Sequence, residues 1–138
     1  MREILFRGKD IAGNWYAGNL AVVKQDVPNC AGTIKAGSYI SNEYGLPFAY
    51  QIRPETVSQF TGFTDKNGKR IFEGDILYIE DDDGNKYVTQ VWYERGGLVI
   101  DVKGCDYDYT VIGWLEYYYS MEVIGNIHDN PELLKEQK

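Results

Sequence analysis

The sequence predicts a mainly β protein: an SH3-like small barrel with an N-terminal β segment and a short C-terminal helix. Short runs rich in β-branched and aromatic residues recur along the chain, and turn residues such as Asn-Gly and Gly-Gly separate them. No segment repeats its apolar residues at the spacing of a long helix. The 138 residues are enough for one domain that buries a core without disulfides or metal ions.

Eight strands are predicted. They cover residues 4–6, 14–23, 48–53, 75–80, 87–94, 97–102, 109–115 and 121–127. The pair Asn67-Gly68 suits a two-residue hairpin turn because both residues tolerate positive φ. Residues 82–85 have a similar turn composition and predict a second hairpin turn. The stretch 24–47 is too long for a plain connection, so it either holds a short strand near 38–40 or is a mobile loop with a functional role.

Two short helical segments complete the prediction. Asn130, Pro131 and Glu132 supply an N-cap residue, a proline at the first helical position and an acid in the first turn of a C-terminal helix. Residues 54–60 are expected to form about one helical turn for similar reasons. The predicted organisation is therefore an N-terminal β segment (1–53), a helical turn and hairpin turn (54–70), a barrel-like β core (71–128) and a helix with a tail (129–138).

Charge is distributed unevenly along the chain. The sequence has 14 basic and 21 acidic residues, a net charge of −7. Residues 1–70 carry nine Lys/Arg and six Asp/Glu, whereas residues 71–138 carry five and 15. This balance argues against a general nucleic-acid binder with a basic surface. Because no apolar run is long enough for a membrane span or a signal-peptide core, we expect a cytoplasmic protein with reduced Cys30 and Cys105.

Tests of the usual catalytic and metal-binding patterns give no site. The acidic run at 80–83 fails the EF-hand spacing because Ile79 and Gln90 stand where oxygen ligands are required, so we interpret it as an acidic hairpin tip. The single histidine, His128, lacks nearby Cys or His partners and is expected to be a partly exposed residue ahead of the C-terminal helix. The sequence predicts no catalytic residue, no cofactor and no metal. Catalysis by a nucleophile and a histidine that the fold brings together from distant positions is left open.

Tyrosines and basic residues supply the candidate interface. Successive tyrosines in a strand cannot all face one core because side chains alternate, and tyrosine is enriched at protein interfaces. The alternative is a barrel rim with half-buried tyrosines. The basic turn at 65–70 could meet a phosphate or an acidic protein surface, or be only a solvated turn. The candidate interface residues are Tyr107, Tyr109, Tyr117, Tyr118, Tyr119, Lys66, Lys69 and Arg70.

Two blocks of the sequence resemble a known family. Residues 54–77 (PETVSQFTGFTDKNGKRIFEGDIL) and 122–134 (EVIGNIHDNPELL) are similar to signature blocks of the YopX-like proteins of phages and prophages. The resemblance implies a small intracellular protein that assembles as a homo-oligomer and has no assigned activity, so no catalytic residue is carried over. Within the first block, Glu73-Gly74-Asp75 resembles the turn that leads into a strand of SH3-like barrels, where the Asp bonds backbone N–H groups two residues on.

These observations favour a phage accessory protein that acts without catalysis, through self-assembly and protein binding. The basic half of one copy could meet the acidic half of the next, with charges that steer association more than they hold it. A host or phage protein is the other expected partner, and neither a membrane nor nucleic acid is favoured. The alternative is a small-barrel protein that binds nucleic acid or a host factor, including an acidic mimic of DNA. An enzyme with an unrecognised site is the third hypothesis.

Overall fold

The computed structural model describes residues 3–42, 49–80, 83–84, 86–94, 97–101, 109–111 and 120–135. The described chain is mainly β, as the sequence predicts. It divides into two compact units, residues 1–60 and 61–138. The boundary falls inside the strand Ser58–Thr64, so this strand belongs partly to each unit.

The first unit is built on antiparallel strands. Its elements are β1 (Phe6–Lys9), β2 (Trp15–Val23), β3 (Val27–Asn29), β4 (Gly32–Ile34), β5 (Gly37–Asn42), β6 (Ala49–Ile52), a 3-10 helix (Pro54–Thr56) and the start of β7 (Ser58–Thr64). The main sheet has the strand order β6-β5-β2-β1-β7, and β3 and β4 form a two-stranded sheet of their own. Among the described residues of this unit, the buried apolar side chains are Leu5, Ile40, Ile52 and Phe60.

The second unit contains a five-stranded antiparallel sheet. Its elements are the end of β7, then β8 (Arg70–Phe72), β9 (Asp75–Glu80), β10 (Lys86–Glu94), β11 (Gly97–Asp101), β12 (Tyr109–Val111), β13 (Ser120–Asn126) and α1 (Glu132–Lys135). Strands β9 to β12 are neighbours in sequence order, and β13 returns to pair with the other side of β9. This order suits a small five-stranded barrel. The SH3-like closure stays a prediction, because residues 102–108 and 112–119 lie outside the described residues.

The core of the second unit forms around β9. Leu77 and Ile79 point to the same face because side chains alternate along a strand, and both are fully buried. They form one apolar cluster with Ile71, Val91 and Met121, and half-buried residues pack against its margin (Phe63, Tyr87 and Val123). Strands β8, β9, β10 and β13 are therefore held together by a common hydrophobic contact.

Gly74 and Asp75 shape the turn from β8 into β9. Gly74 has φ +86°, a conformation that glycine adopts without strain, as expected for a tight corner. The Asp75 carboxylate accepts a hydrogen bond from the Phe72 N–H at 2.7 Å, so it bonds the chain that precedes it. The expected bond to an N–H group two residues further on stays a prediction.

The structure refines three local predictions. The stretch 24–47 contains β3, β4 and β5, so a strand is found near 38–40, as one of the two alternatives predicts, and it is longer than expected. Within 54–60 only Pro54–Thr56 is helical, and β7 begins at Ser58. The first strand covers Phe6–Lys9, so it begins two residues and ends three residues later than the predicted 4–6. These segments are short and contain polar residues, glycine or proline, which weakens their strand signal in the sequence.

The second signature block forms a self-contained turn between β13 and α1. The Asn126 side-chain oxygen accepts hydrogen bonds from the N–H groups of His128 and Asp129, both at 3.0 Å. The Asn130 N–H donates to the Asn126 carbonyl at 2.8 Å. A Cβ at Gly125 would lie 2.5 Å from the Asn130 Oδ1 atom, so this position requires glycine. His128 is half-buried ahead of the helix, as the sequence predicts.

The core of the first unit yields a testable packing prediction. A Cβ at Gly8 would overlap the Ile52 Cδ1 methyl group. We expect Gly8→Ala to destabilise the protein by about 1–3 kcal/mol through overpacking. Ile52→Val removes that methyl group, so the double variant should lose less stability than the sum of the single variants, as measured by urea denaturation. Additive losses would contradict the packing described here.

Candidate functional site

The turn between β7 and β8 carries the described basic candidates. The Asp65 N–H donates to the Lys69 carbonyl at 2.8 Å, and the Gly68 N–H donates to the Asp65 carbonyl at 3.0 Å. Three residues (Lys66, Asn67 and Gly68) therefore lie between the paired ends, and Gly68 has φ +82°. The predicted two-residue turn was too short by one, and the observed arrangement is that of a three-residue hairpin loop with a left-handed final residue.

The Asp65 side chain organises this turn. Its Oδ1 atom accepts hydrogen bonds from the N–H groups of Asn67 and Lys69, both at 2.9 Å. Its Oδ2 atom accepts a third bond, from the Val123 N–H in β13 at 3.0 Å. Asp65 is buried, with 7% of its surface exposed. One carboxylate thus fixes the shape of the turn and attaches the turn to a strand 58 residues further along the chain.

Two further contacts join the turn to β13. The Lys66 N–H donates to the Met121 carbonyl at 2.9 Å. The Lys66 Nζ atom lies 3.7 Å from the Glu122 Oε2 atom, and both side chains are substantially exposed. An exposed ion pair of this kind contributes little to stability, so the backbone bonds and the Asp65 carboxylate hold the turn in place.

The environment of Asp65 favours its ionised form. Burial acts to raise the pKa of this carboxyl group, because desolvation disfavours the charge. The three N–H bonds from Val123, Lys69 and Asn67, together with the Lys69 charge, act in the opposite direction and outweigh burial. The pKa of Asp65 is consequently below its ordinary value, and the ionised carboxylate stabilises the folded turn.

The turn presents a compact basic surface on an acidic unit. Lys66, Lys69 and Arg70 are all exposed. Residues 61–138 contain eight Lys/Arg and 16 Asp/Glu in total, so three of the eight basic residues lie on this one turn. Lys66 and Lys69 lie in the turn and Arg70 begins β8 directly after it, and their interface role stays a prediction. We refer to these three residues as the basic turn.

Of the five tyrosine candidates, the structure describes the position of one. Tyr107 and the three tyrosines at 117–119 lie outside the described residues. Tyr109 begins β12, where the structure describes the backbone pairing with Asp101. The interface role of these five tyrosines therefore stays a prediction.

The sequence analysis missed an aromatic and cationic cluster in the first unit. The Arg7 guanidinium and the Lys9 ammonium lie 5.1 and 5.7 Å from the centre of the Trp15 ring. The rings of Tyr16 and Tyr50 stack with their centres 4.0 Å apart. Arg7, Lys9 and the Trp15-Tyr16 dipeptide are visible in the sequence, but only the register of the neighbouring strands β1 and β2, in which Lys9 pairs with Trp15, brings them together. These contacts account for Arg7 and Lys9 as packing groups of the sheet.

Other features of the described residues bear on metal binding, membrane insertion and thiol chemistry. Among the described residues, no group of three or more His, Cys, Asp or Glu side chains is placed to hold a metal ion. In the same part of the chain, no helix has the length and apolar character required to cross a membrane. The thiol of Cys30 is exposed and free.

Comparison with known proteins identifies the family. The profile of the YopX protein family matches residues 6–135, nearly the whole chain. The chain belongs to the YopX family. The two signature blocks of the sequence analysis lie within this match, and the resemblance stated there is confirmed.

Proteins similar to this chain include one curated relative and two solved structures. The chain is 41% identical over 71 residues to the SPbeta prophage-derived uncharacterized protein YopX of Bacillus subtilis strain 168, a match that spans 49% of this chain and 52%, about half, of that protein. The crystal structure of Bacillus subtilis YopX has a TM-score of 0.60 at 24% identity and covers 94% of this chain and 97% of its own. Protein EF1440 from Enterococcus faecalis has a TM-score of 0.51 at 23% identity and covers 97% and 99%. Both structures support the fold alone.

The Asp65 contacts predict a specific acid sensitivity. We expect Asp65→Asn to destabilise the protein by about 1–3 kcal/mol at pH 7, because an amide cannot accept all three N–H bonds. The sign of the pH effect follows from the lowered pKa: the stabilisation is complete above the ordinary pKa and is lost as pH falls through the lower folded value. The difference between the native protein and the variant should therefore shrink below about pH 4.

Urea denaturation at pH 7 and pH 3 measures both effects. Glu80→Gln is the matched control, since it removes one negative charge at an exposed position of the same unit. It should change stability by less than about 0.5 kcal/mol at either pH. An Asp65→Asn variant as stable as this control at pH 7, or a difference that persists undiminished at pH 3, would contradict the role given to Asp65.

Proposed function

We propose that this YopX-family chain is a phage or prophage accessory protein that acts without catalysis, by self-assembly and protein binding. Its site of action is the basic turn, which recognises an acidic protein surface. The similarity to a prophage-derived relative supports the phage origin. A bacterial cytoplasm is the corresponding place of action. The proposal treats Lys66, Lys69 and Arg70 as binding residues and assigns no catalytic one.

The fixed shape of the basic turn is the observation that carries this proposal. Three hydrogen bonds to one buried carboxylate and the Lys66–Met121 backbone bond set the turn before any partner arrives. A binding surface that is already ordered loses less conformational entropy on association than a flexible loop. The same bonds also stabilise the fold, so the binding role of the ordered turn is what the association experiments below test.

A second copy of the chain has the charge that this surface requires. The second unit has eight more acidic than basic residues, so the basic turn is a positive exception on a negative body. Contact between the basic turn of one copy and an acidic surface of the next places opposite charges together. Such a contact is head-to-tail, which generates rings or filaments according to whether the rotation closes.

Light scattering tests the proposed association. At about 0.01 M salt, where the screening length is ~30 Å, we expect masses above that of the 15.8 kDa chain. The average mass should fall at about 1 M salt, where the screening length is ~3 Å. The variant Lys69→Glu/Arg70→Glu should weaken the low-salt association about tenfold or more. A strict monomer at both salt concentrations would exclude the proposal.

Lys86→Glu provides the charge control: it makes the chain more negative by two charges, against four in the basic-turn variant. Lys86 is exposed and pairs with Glu80 in the β9–β10 ladder, so its reversal makes the acidic side of the unit more negative. It moves the net charge in the same direction as the basic-turn variant. If opposite charges meet as proposed, Lys86→Glu should leave the association unchanged or strengthen it. Equal weakening by both variants would mean that net charge alone is responsible, and the basic turn would lose its assigned role.

Nucleic-acid binding is the alternative function, and the same three basic residues favour it. A phosphate backbone would contact Lys66, Lys69 and Arg70 and give affinity that falls steeply with salt. A gel-shift titration with single-stranded and double-stranded DNA distinguishes the two functions. Micromolar binding at about 0.15 M salt that is lost in Lys69→Glu/Arg70→Glu would support the alternative, and its absence would favour protein binding.

A further inference from the structure

The β3–β4 hairpin of the first unit stands apart from the main sheet. Its two strands pair with each other and with no other strand among the described residues. All six strand residues are exposed. Val27 and Ile34 are direct cross-strand partners, and 44% and 45% of their surfaces are exposed. The hairpin therefore presents an apolar pair on a ribbon two strands wide.

This hairpin is nevertheless locally well built. The Asn29 side-chain oxygen accepts a hydrogen bond from the Ala31 N–H at 2.8 Å, which closes the turn. At its base, the Asp26 carboxylate accepts a hydrogen bond from the Ala36 N–H at 2.8 Å and lies 3.4 Å from the Lys35 Nζ atom. The Tyr39 hydroxyl donates to the Lys35 carbonyl at 2.6 Å. The base of the hairpin is fixed to β5 although its strands contact solvent.

An isolated hairpin of this kind is marginally stable in water, because neither of its faces is covered by a second layer. Its two free edges also leave backbone groups available to another strand. Pro28 removes a donor from the β3 edge, whereas β4 contains no proline. The β4 edge is consequently the better position for an added strand.

The charge distribution indicates what covers the hairpin. The first unit is nearly neutral, with six Lys/Arg and five Asp/Glu, whereas the second has eight and 16. Residues 24–36 contain Lys24 and Lys35 against Asp26. Two copies of a chain with net charge −7 repel each other least where they meet through a surface of low net negative charge, such as this hairpin. A two-fold symmetric contact also needs a surface that is complementary to itself. An edge strand is such a surface, because it can pair in antiparallel orientation with the same strand of a second copy.

We propose that the β3–β4 hairpin is an assembly arm that pairs with the same hairpin of a second copy, β4 alongside β4 in antiparallel orientation. The proposal rests on the proposed self-assembly and adds a contact that is distinct from the basic turn. Full pairing of the three-residue β4 with its copy places the two-fold axis at the central residue, Thr33. The resulting four-stranded ribbon carries both Val27–Ile34 pairs and joins two chains through backbone hydrogen bonds and apolar contact.

The arm contact should resist salt, unlike the basic-turn contact. In sedimentation velocity at about 1 M salt, we expect the full chain to remain at twice the mass of the 15.8 kDa chain. Val27→Ser/Ile34→Ser should reduce this species to the monomer. Because both positions are exposed, the variant should keep the native near-ultraviolet circular dichroism.

Each outcome separates this inference from the proposed function. A native protein that associates at low salt but is monomeric at high salt excludes the arm and leaves the basic turn. A high-salt dimer that Val27→Ser/Ile34→Ser does not dissociate also excludes the arm. Monomers at both salt concentrations exclude both proposals.

Cysteine cross-linking tests the two-fold geometry directly. In a Cys30→Ser/Cys105→Ser background, Thr33→Cys should form a disulfide-linked dimer on mild oxidation, because cross-strand partners lie within disulfide distance. Gln25→Cys in the same background is the control: it is exposed ahead of β3, away from the axis, and should remain monomeric on a non-reducing gel. Failure of Thr33→Cys to cross-link, or equal cross-linking of both variants, would overturn the β4–β4 arrangement.

Discussion

The Asp65 carboxylate is the contact on which the arrangement of the candidate site depends. Its two oxygens accept three backbone N–H bonds, two within the β7–β8 turn and one from Val123 in β13. Backbone N–H groups satisfied by a charged acceptor are among the stronger hydrogen bonds in proteins. A single buried side chain thereby links the first signature block of the sequence to the second, and the turn that results carries Lys66, Lys69 and Arg70.

The two signature blocks of the sequence are in contact with each other in the folded chain. The first block contains the Asp65 turn and the Gly74 corner, and the second contains β13 and the turn centred on Asn126. The Ile127 N–H donates to the Gly74 carbonyl at 2.9 Å, which provides a second link between the blocks. Residues far apart in the chain are thus constrained by one another through backbone hydrogen bonds.

The sequence predicts the strands of the second unit well because β-branched and aromatic residues are dense there. β9 at 75–80 is found where it is predicted, and β10 and β13 agree to within one residue. β7 was missed because Pro54 and Glu55 favour a helical start. β3, β4 and β8 were missed because a strand of three residues is too short to carry a periodic signal. The basic cluster could be predicted from its position on one turn. The Asp65–Val123 bond could not, since it joins residues 58 apart and depends on the tertiary fold.

The central claim is that Asp65 prepares the basic turn for association, and one variant separates this claim from simple charge attraction. Asp65→Asn makes the turn more positive by one charge, so electrostatics alone would tighten its contact with an acidic surface. If instead the carboxylate fixes the binding geometry, the same variant should weaken association despite the added positive charge. Sedimentation velocity at about 0.01 M salt and pH 7, with folding verified by circular dichroism, gives the answer. Weaker association is the predicted result; unchanged or tighter association would contradict it.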